Sequence, residues 1–422
     1  MDRAGVRRLA ADSNFRALWI GQLISIFGDR FHYLALLALI VERARDPGNP
    51  APELALVPLV SFVPGILFGP VAGPLVDRWG TRRVLIVSDA IRGCLVLLLI
   101  PAAAGGGLPP AFLLVFLLYV ANSFFLPARS AILPELVPEE ALVPANSLAT
   151  LAGVLGTLGG SVLGGLLVQR VGWRWGFGID AATYFASVAA LTMIHIPARP
   201  EAAGAVALGP IYGGLRHRIA EGARIARRDR RVRGAIGALV LLWIAGGALH
   251  VAGTVLIRER TSGVVAGIGA LLATVGLGMV AGTLLLSTSA RRWPGGLVAS
   301  LALLGIGGAV AAFPLARGAL ALHADAFTAG AFVALLLVTT EAAIQRAVAP
   351  EARGRVFALR DIATRIGVLG SAALVGAAVG SGWVTSAGAL WAAGTVVGVA
   401  GVIGTLLSVP RGSRGAGKEV AA

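Results

Sequence analysis

Four polar side chains stand on one face of the first apolar run. Gln22, Ser25, Asp29 and His32 are spaced three, four and three apart, which on an α-helix makes one stripe. Asp29 falls near the middle of that run, about Phe15 to Val41. A carboxylate at such a depth is costly, so it must face water or a partner. Two readings stay open: a proton or substrate site, and a salt bridge that ties helices together. Arg30 is next in sequence but about 100° away around the helix. Asp180 and Tyr184, one turn apart, read as a packed tyrosine–carboxylate pair, with Asp180 as a second polar cavity residue in the alternative reading. Asp361 and Arg365, four apart, predict an internal ion pair. His250, isolated in its run, reads as a histidine hydrogen-bonded inside the bundle.

No enzyme constellation accompanies these residues. The chain has no His-Glu-x-x-His, no nucleophile elbow and no phosphate loop, so the sequence points to no catalytic role, no cofactor and no metal, and excludes transport powered by ATP hydrolysis within this chain. A membrane enzyme would need paired acid and base groups at one depth beyond Asp29 and His32. The single cysteine, Cys94, rules out an internal disulfide.

The elements that must position these groups are membrane helices. Of 422 residues, 57% are hydrophobic and 14% charged, and the mean hydropathy is +0.83. That much apolar surface does not fit inside a soluble protein. Twelve spans are predicted, at roughly 15–41, 53–76, 84–104, 111–131, 143–168, 174–196, 233–257, 263–288, 295–316, 326–347, 354–380 and 384–409. The net charge of +15 lies between the apolar runs and without an aromatic stacking platform, which argues for membrane topology and against nucleic acid. With the N-terminus inside, 25 Lys/Arg fall in inner segments, 7 in outer loops and 4 inside spans. Both termini are therefore expected in the cytoplasm. The first run is too long for a signal-peptide core, so no cleavage is expected.

The chain repeats itself. Leu148–Gly156 and Ile362–Gly370 agree at six of nine positions, Arg78-Trp79 recurs as Arg292-Trp293, and Pro138-Glu139 as Pro350-Glu351. A parallel duplication follows: a six-helix half over 1–198, a basic linker over 199–232, part of it an amphipathic helix on the inner leaflet, and a second half over 233–422. The chain is read as a monomer in the lipid bilayer.

Between spans two and three stands Gly73-Pro74-Leu75-Val76-Asp77-Arg78-Trp79-Gly80-Thr81-Arg82-Arg83. It resembles the signature of the major facilitator superfamily, Gly-x-x-x-Asp-Arg-x-Gly-x-Arg-Arg, with Gly73, Asp77, Arg78, Gly80, Arg82 and Arg83 all matching. In the second copy Arg291 stands where Asp77 does. Span five carries Gly156, Gly160, Ser161, Gly164 and Gly165. This resembles the exporter signature Gly-x-x-x-Gly-Pro-x-x-Gly-Gly with Ser161 in place of the proline, and small residues so spaced also serve close helix packing. Asn14–Gln22, Gly28-Asp29, Pro127-Ala128-Arg129, Pro134–Pro138 and Gly354–Phe357 are similar to the branch that holds enterobactin exporters and macrolide-efflux proteins.

The resemblance implies an all-α membrane protein of twelve helices in two pseudo-symmetric halves. It implies efflux of an amphipathic small molecule by alternating access, with protons as the coupling ion. Many proton-coupled members carry an arginine inside span four, whereas Tyr119 to Leu126 holds none and Arg129 sits at the inner end. A lysophospholipid mover of the same fold is the second reading. The resemblance places Asp77 near the cytoplasmic start of helix 11. The internal repeat pairs Arg129 with Glu341, which predicts a cytoplasmic gate pair made only when the inner mouth is shut.

Overall fold

A computed structural model describes residues 9, 11–46, 48–195, 208–260, 263–288 and 293–408. The tails that weigh in the charge count, Arg291 and Arg292, and linker residues 196–207 lie outside the described residues. Thirteen helices follow in order: α1 Ser13–Arg43, α2 Ala51–Trp79, α3 Thr81–Gly106, α4 Leu108–Leu136, α5 Leu142–Val171, α6 Trp173–Thr192, α7 Leu208–Arg228, α8 Arg230–Arg260, α9 Val264–Thr288, α10 Gly295–Ala312, α11 Ala319–Ala347, α12 Pro350–Gly380 and α13 Ser386–Ser408. No strand occurs among the described residues.

Eleven of these helices are long and apolar enough to cross a membrane. The helix at the expected sixth span, α6, falls short. It has 20 residues and buries Asp180, Thr183, Tyr184 and Ser187 inside the bundle, so polar side chains dilute its apolar signal; of the four only Tyr184 lines a chamber, and Asp180 is packed between helices rather than facing the cavity. The tenth span begins earlier than its apolar run, because α11 starts at Ala319 and includes His323 and Asp325.

The signature stretch is hardly a loop. α2 ends at Trp79 and α3 starts at Thr81, leaving only Gly80 between them at φ +82°. Only glycine adopts that backbone conformation without strain. Arg82 then reaches across to the last turn of α6, its Nε donating to the Leu191 carbonyl at 3.1 Å and its Nη2 to that of Thr192 at 2.7 Å. The Leu191 carbonyl also accepts from the Ile194 N–H at 3.3 Å, Thr192 lies at the helix end where carbonyls lack an intrahelical donor, and a cation suits the negative end of the helix dipole.

The packing repeats. In the first half α1 packs on α5 and α6, α2 on α4, and α3 on α4 and α6; in the second, α8 packs on α12 and α13, α9 on α11, and α10 on α11 and α13. Between them α7 docks on α12, where Glu221 Oε1 meets Arg355 Nη1 at 3.0 Å. The helix is thus held by the second half as well as being amphipathic.

Where the buried apolar residues cluster defines the shape. One cluster joins the halves, from Leu36 and Leu54 to Val251, Leu256 and Val379. It lies toward the face away from α7, the distal face. Toward the face that holds α7, the linker face, each half has its own cluster: Phe15, Val76, Leu85, Ile132 and Val137 in one, Ile236, Ile344, Val348 and Val356 in the other. The halves are therefore fused at the distal face and parted at the linker face.

Backbone contacts seal the distal face. Asn49 Nδ2 donates to the Val379 carbonyl at 2.8 Å, and a Cβ on Gly376 would come within 2.4 Å of Ala55. Across α5 and α9, a Cβ on Gly269 would lie 2.3 Å from the Ser161 carbonyl oxygen. Toward the linker face the same helices separate: a Cβ on Gly69, Gly73 or Gly153 would meet nothing within 4 Å.

Candidate functional site

Between the halves lie two chambers that share Asp29 and Arg30 in their walls. One, about 440 Å³, is central and is also lined by His32, Tyr33, Tyr119, Asn122, Trp243 and His250. The other, about 1040 Å³, runs toward the linker face between α1, α4, α5 and α9, past Gln22, Arg129 and Thr283.

The α1 stripe is the spine of the site. Gln22, Ser25 and His32 are buried. Gln22 Oε1 accepts from Arg129 Nε at 3.0 Å. Asp29 Oδ1 accepts from the Tyr184 hydroxyl at 2.7 Å. His32 Nδ1 lies 3.2 Å from Asp180 Oδ2, both side chains almost wholly buried. Hence the tyrosine–carboxylate pairing read within α6 does not form. Asp180 turns to His32 and Tyr184 to Asp29, because α1 packs directly on α6 and offers each a partner across the interface. No salt bridge to Asp29 forms among the described residues. Arg30 projects into both chambers beside Asp29, with no hydrogen bond or ion pair to any described residue, and its Nε is buried.

A buried network that the motif reading passed over stands behind Tyr184. Asp89 and Arg92, three apart on α3, pair in the interior, with side chains 0% and 2% exposed. Ser187 Oγ donates to Asp89 Oδ2 at 2.7 Å and Arg92 Nη1 to Asn122 Oδ1 at 3.2 Å. The Arg92 guanidinium lies 4.0 Å from the Phe125 ring centre and 4.5 Å from that of Tyr184, distances at which a cation is attracted to the ring face. Between Tyr119 and Leu126 span four holds no arginine, and Arg92 of α3 reaches Asn122 there. Two ionisable residues on one face of an apolar run were the available signal.

The second half contributes His250, in a π-helical turn over Leu249–Gly253. Its Nε2 is 3.1 Å from the Leu54 carbonyl and its Nδ1 3.0 Å from the Tyr33 hydroxyl. A carbonyl only accepts, so Nε2–H donates to Leu54 and Tyr33 donates to Nδ1. This histidine is hydrogen-bonded as expected, and it also bridges the halves.

The pair read between Asp361 and Arg365 is absent. Asp361 Oδ1 pairs with Arg360 Nη2 at 2.8 Å. Arg365 Nη1 instead donates to the Phe62 carbonyl at 3.3 Å, across the interface with α2. Glu341 Oε2 accepts from Arg360 Nη1 at 2.5 Å, and Arg129 is engaged by Gln22, so these two prospective gate residues are not in contact here. Of the signature residues, Asp77 is exposed and Gly80 and Arg82 act as described above. Arg78 and Arg83 border a groove with Trp79. In the span-five motif, Gly156, Gly160 and Gly164 face α1 residues from Leu23 to Leu34, while Ser161 and Gly165 face α9. All five serve close packing.

Residues 18–324 match the sequence family described as the Major Facilitator Superfamily. The chain is 28% identical over 130 residues to macrolide efflux protein A of Streptococcus pyogenes, covering 30% of this chain and 31% of that protein. It is 29% identical over 191 residues to the enterobactin exporter EntS of Shigella boydii, covering 44% of each. With the lysophospholipid transporter LplT of Serratia proteamaculans it shares 27% identity over 237 residues, covering 56% of this chain and 55% of that one. The matched stretches thus span from a third to about half the length of these relatives. In fold, the chain superposes on the crystal structure of the nucleoside transporter NupG with a TM-score of 0.69 at 13% identity, covering 92% of this chain and 98% of that one.

Proposed function

The chain belongs to the Major Facilitator Superfamily, and we propose that it exports an amphipathic small molecule by alternating access, driven by protons. The observation that carries this reading is the placement of Asp29 and Arg30 in the shared wall of two chambers between the halves. An intramembrane carboxylate facing a cavity, hydrogen-bonded by a tyrosine, is suited to exchange a proton as its surroundings change. In this reading α6 completes twelve spans, residues 1–198 and 233–422 are the rocking halves and 199–232 tethers them. Both termini lie in the cytoplasm of a cell whose inner membrane holds the chain as a monomer. The linker face is then cytoplasmic and the conformation inward-open. The direction of transport is supported by the similarity to proteins named as efflux and exporter.

The test is substrate efflux from cells lacking their own exporters, with and without an uncoupler. Export that collapses when the proton gradient is discharged is the expected result. Export indifferent to the gradient overturns the coupling. A second reading, a lipid mover, rests on the similarity to LplT. Transfer of fluorescent lysophospholipid across vesicles that hold the purified protein, with no drug export, would establish it instead.

A further inference from the structure

The charges along the path are unbalanced in a way that bears on cargo. Five arginines, Arg30, Arg92, Arg129, Arg360 and Arg365, line the chambers between the halves or the smaller cavity beside Trp243, about 270 Å³ in volume, and Arg92 is already paired with Asp89, which leaves four to account for. Three carboxylates accompany them: Asp29, Glu341 and Asp361. Arg360 takes two of these, Glu341 at 2.5 Å and Asp361 at 2.8 Å. The three remaining arginines have neutral partners or none. Arg129 bonds the Gln22 amide, Arg365 bonds a backbone carbonyl, and Arg30 bonds nothing among the described residues. The one remaining carboxylate, Asp29, is already held by the Tyr184 hydroxyl.

From this arrangement we infer that the cargo is an amphipathic organic anion, and that Arg30 is the residue that receives its charged group. The inference rests on the chambers being the transport path. A guanidinium in a site partly shielded from water attracts an anion far more strongly than at an open surface, and its planar fork matches the oxygens of a carboxylate, sulfonate or phosphate ester. The apolar body of such a cargo has its own place. Tyr33, Tyr119, Phe62 and Trp243 line the same central chamber, and a volume of about 440 Å³ is in the range of sites for molecules of drug size. A cation would instead meet only Asp29, with Arg30 beside it.

A pair of probes that differ by one charged group tests this. Anilinonaphthalene sulfonate and phenylnaphthylamine share their aromatic frame, and only the first carries a sulfonate. Binding to the purified full chain is read as quenching of Trp243, taken as the difference from Trp243→Phe protein. The sulfonate should bind about tenfold more tightly than its neutral counterpart. Arg30→Gln should remove most of that preference and leave the neutral probe unchanged, while Arg30→Lys should keep part of it. Should Arg30→Gln fail to fold, Arg365→Gln and Arg129→Gln carry the same test with smaller losses. Equal affinity for both probes, or a preference that survives all three glutamine variants, overturns the inference. So does tighter binding of ethidium that Asp29→Asn abolishes. Efflux is measured separately. A chain that shows the sulfonate preference yet moves nothing overturns the export reading alone, and one that exports while preferring ethidium overturns this inference alone.

Discussion

The hydroxyl of Tyr184 on α6 donates to Asp29 of α1 at 2.7 Å. The bond joins the chamber wall to the Asp89–Arg92 network, because Arg92 lies over the Tyr184 ring. If Asp29 exchanges the driving proton, Asp29→Asn should abolish gradient-driven efflux while leaving substrate counterflow, which moves no net proton. Tyr184→Phe should weaken gradient-driven efflux about tenfold or more, since a hydrogen bond to a charged group contributes about 1.5–3 kcal/mol. Loss of both activities together with loss of folded protein would show that Asp29 serves only to hold helices together.

Asp89 and Arg92 should prove structural. Both are buried, and removing one member of a buried ion pair leaves the other charge uncompensated, at a cost of about 3–5 kcal/mol. Arg92→Met or Asp89→Leu alone should lower the unfolding temperature in detergent markedly. The double variant should recover most of the loss. A double variant as unstable as the two singles combined would mean that the pair is not coupled.

Asp77 continues a stripe on α2. Gly65, Gly69, Gly73 and Asp77 are spaced by four and so share one face. At Gly65 that face touches α12, where a Cβ would come within 2.7 Å of Arg365 Nη1, and at Gly69 and Gly73 it meets nothing. We expect the rest of the stripe to dock on the start of α12 when the linker face shuts, bringing Asp77 to a helix N-terminus with Arg353 and Arg355 nearby. Such a contact contributes about 1–2 kcal/mol. Asp77→Asn should reach the membrane in normal amount and transport poorly. Normal transport at equal abundance would refute this.

Arg129 and Glu341 stand at matching depths, seven residues before the end of α4 and six before the end of α11. Here each has another partner, Gln22 and Arg360. The proposed gate forms when those partners are exchanged for one another across the mouth. Arg129→Glu and Glu341→Arg should each impair transport, and the double swap should restore much of it. A double swap no better than the sum of the single losses excludes the pair.

How much of this was legible in the sequence depends on what sets each contact. The α1 stripe could be read because helical spacing alone aligns Gln22, Ser25, Asp29 and His32. Gly80 could be read because a turn that short needs a residue free of a side chain. The partners of Asp180, Tyr184, Asp361 and Arg365 could not. Spacing within one helix offers a local pairing, and the interfaces of α1 with α6 and α2 with α12 supply competing ones. The sixth span was visible as a helix, but its apolarity was overstated where its polar side chains turn inward. The contact of the two halves through His250 depends on a π turn that no residue spacing announces.

The crossing of α5 and α9 has a mechanical consequence. Gly165 is 6 residues from the distal end of α5 and 23 from its other end; at 1.5 Å per residue these arms are about 9 Å and about 35 Å long. On α9, Gly269 is 5 residues from the distal end and 19 from the other. The contact runs on to Leu158 and Gly276, 16 residues from the linker-face end of α5 and 12 from that of α9, so the helices meet along a seam that leaves linker-face ends of about 24 Å and about 18 Å beyond it. Under the proposed alternating access, tilting about that seam closes the linker-face mouth by swinging those ends. Opening the distal side would instead require the seam itself to slide or part, so the two open shapes would not be mirror images of each other.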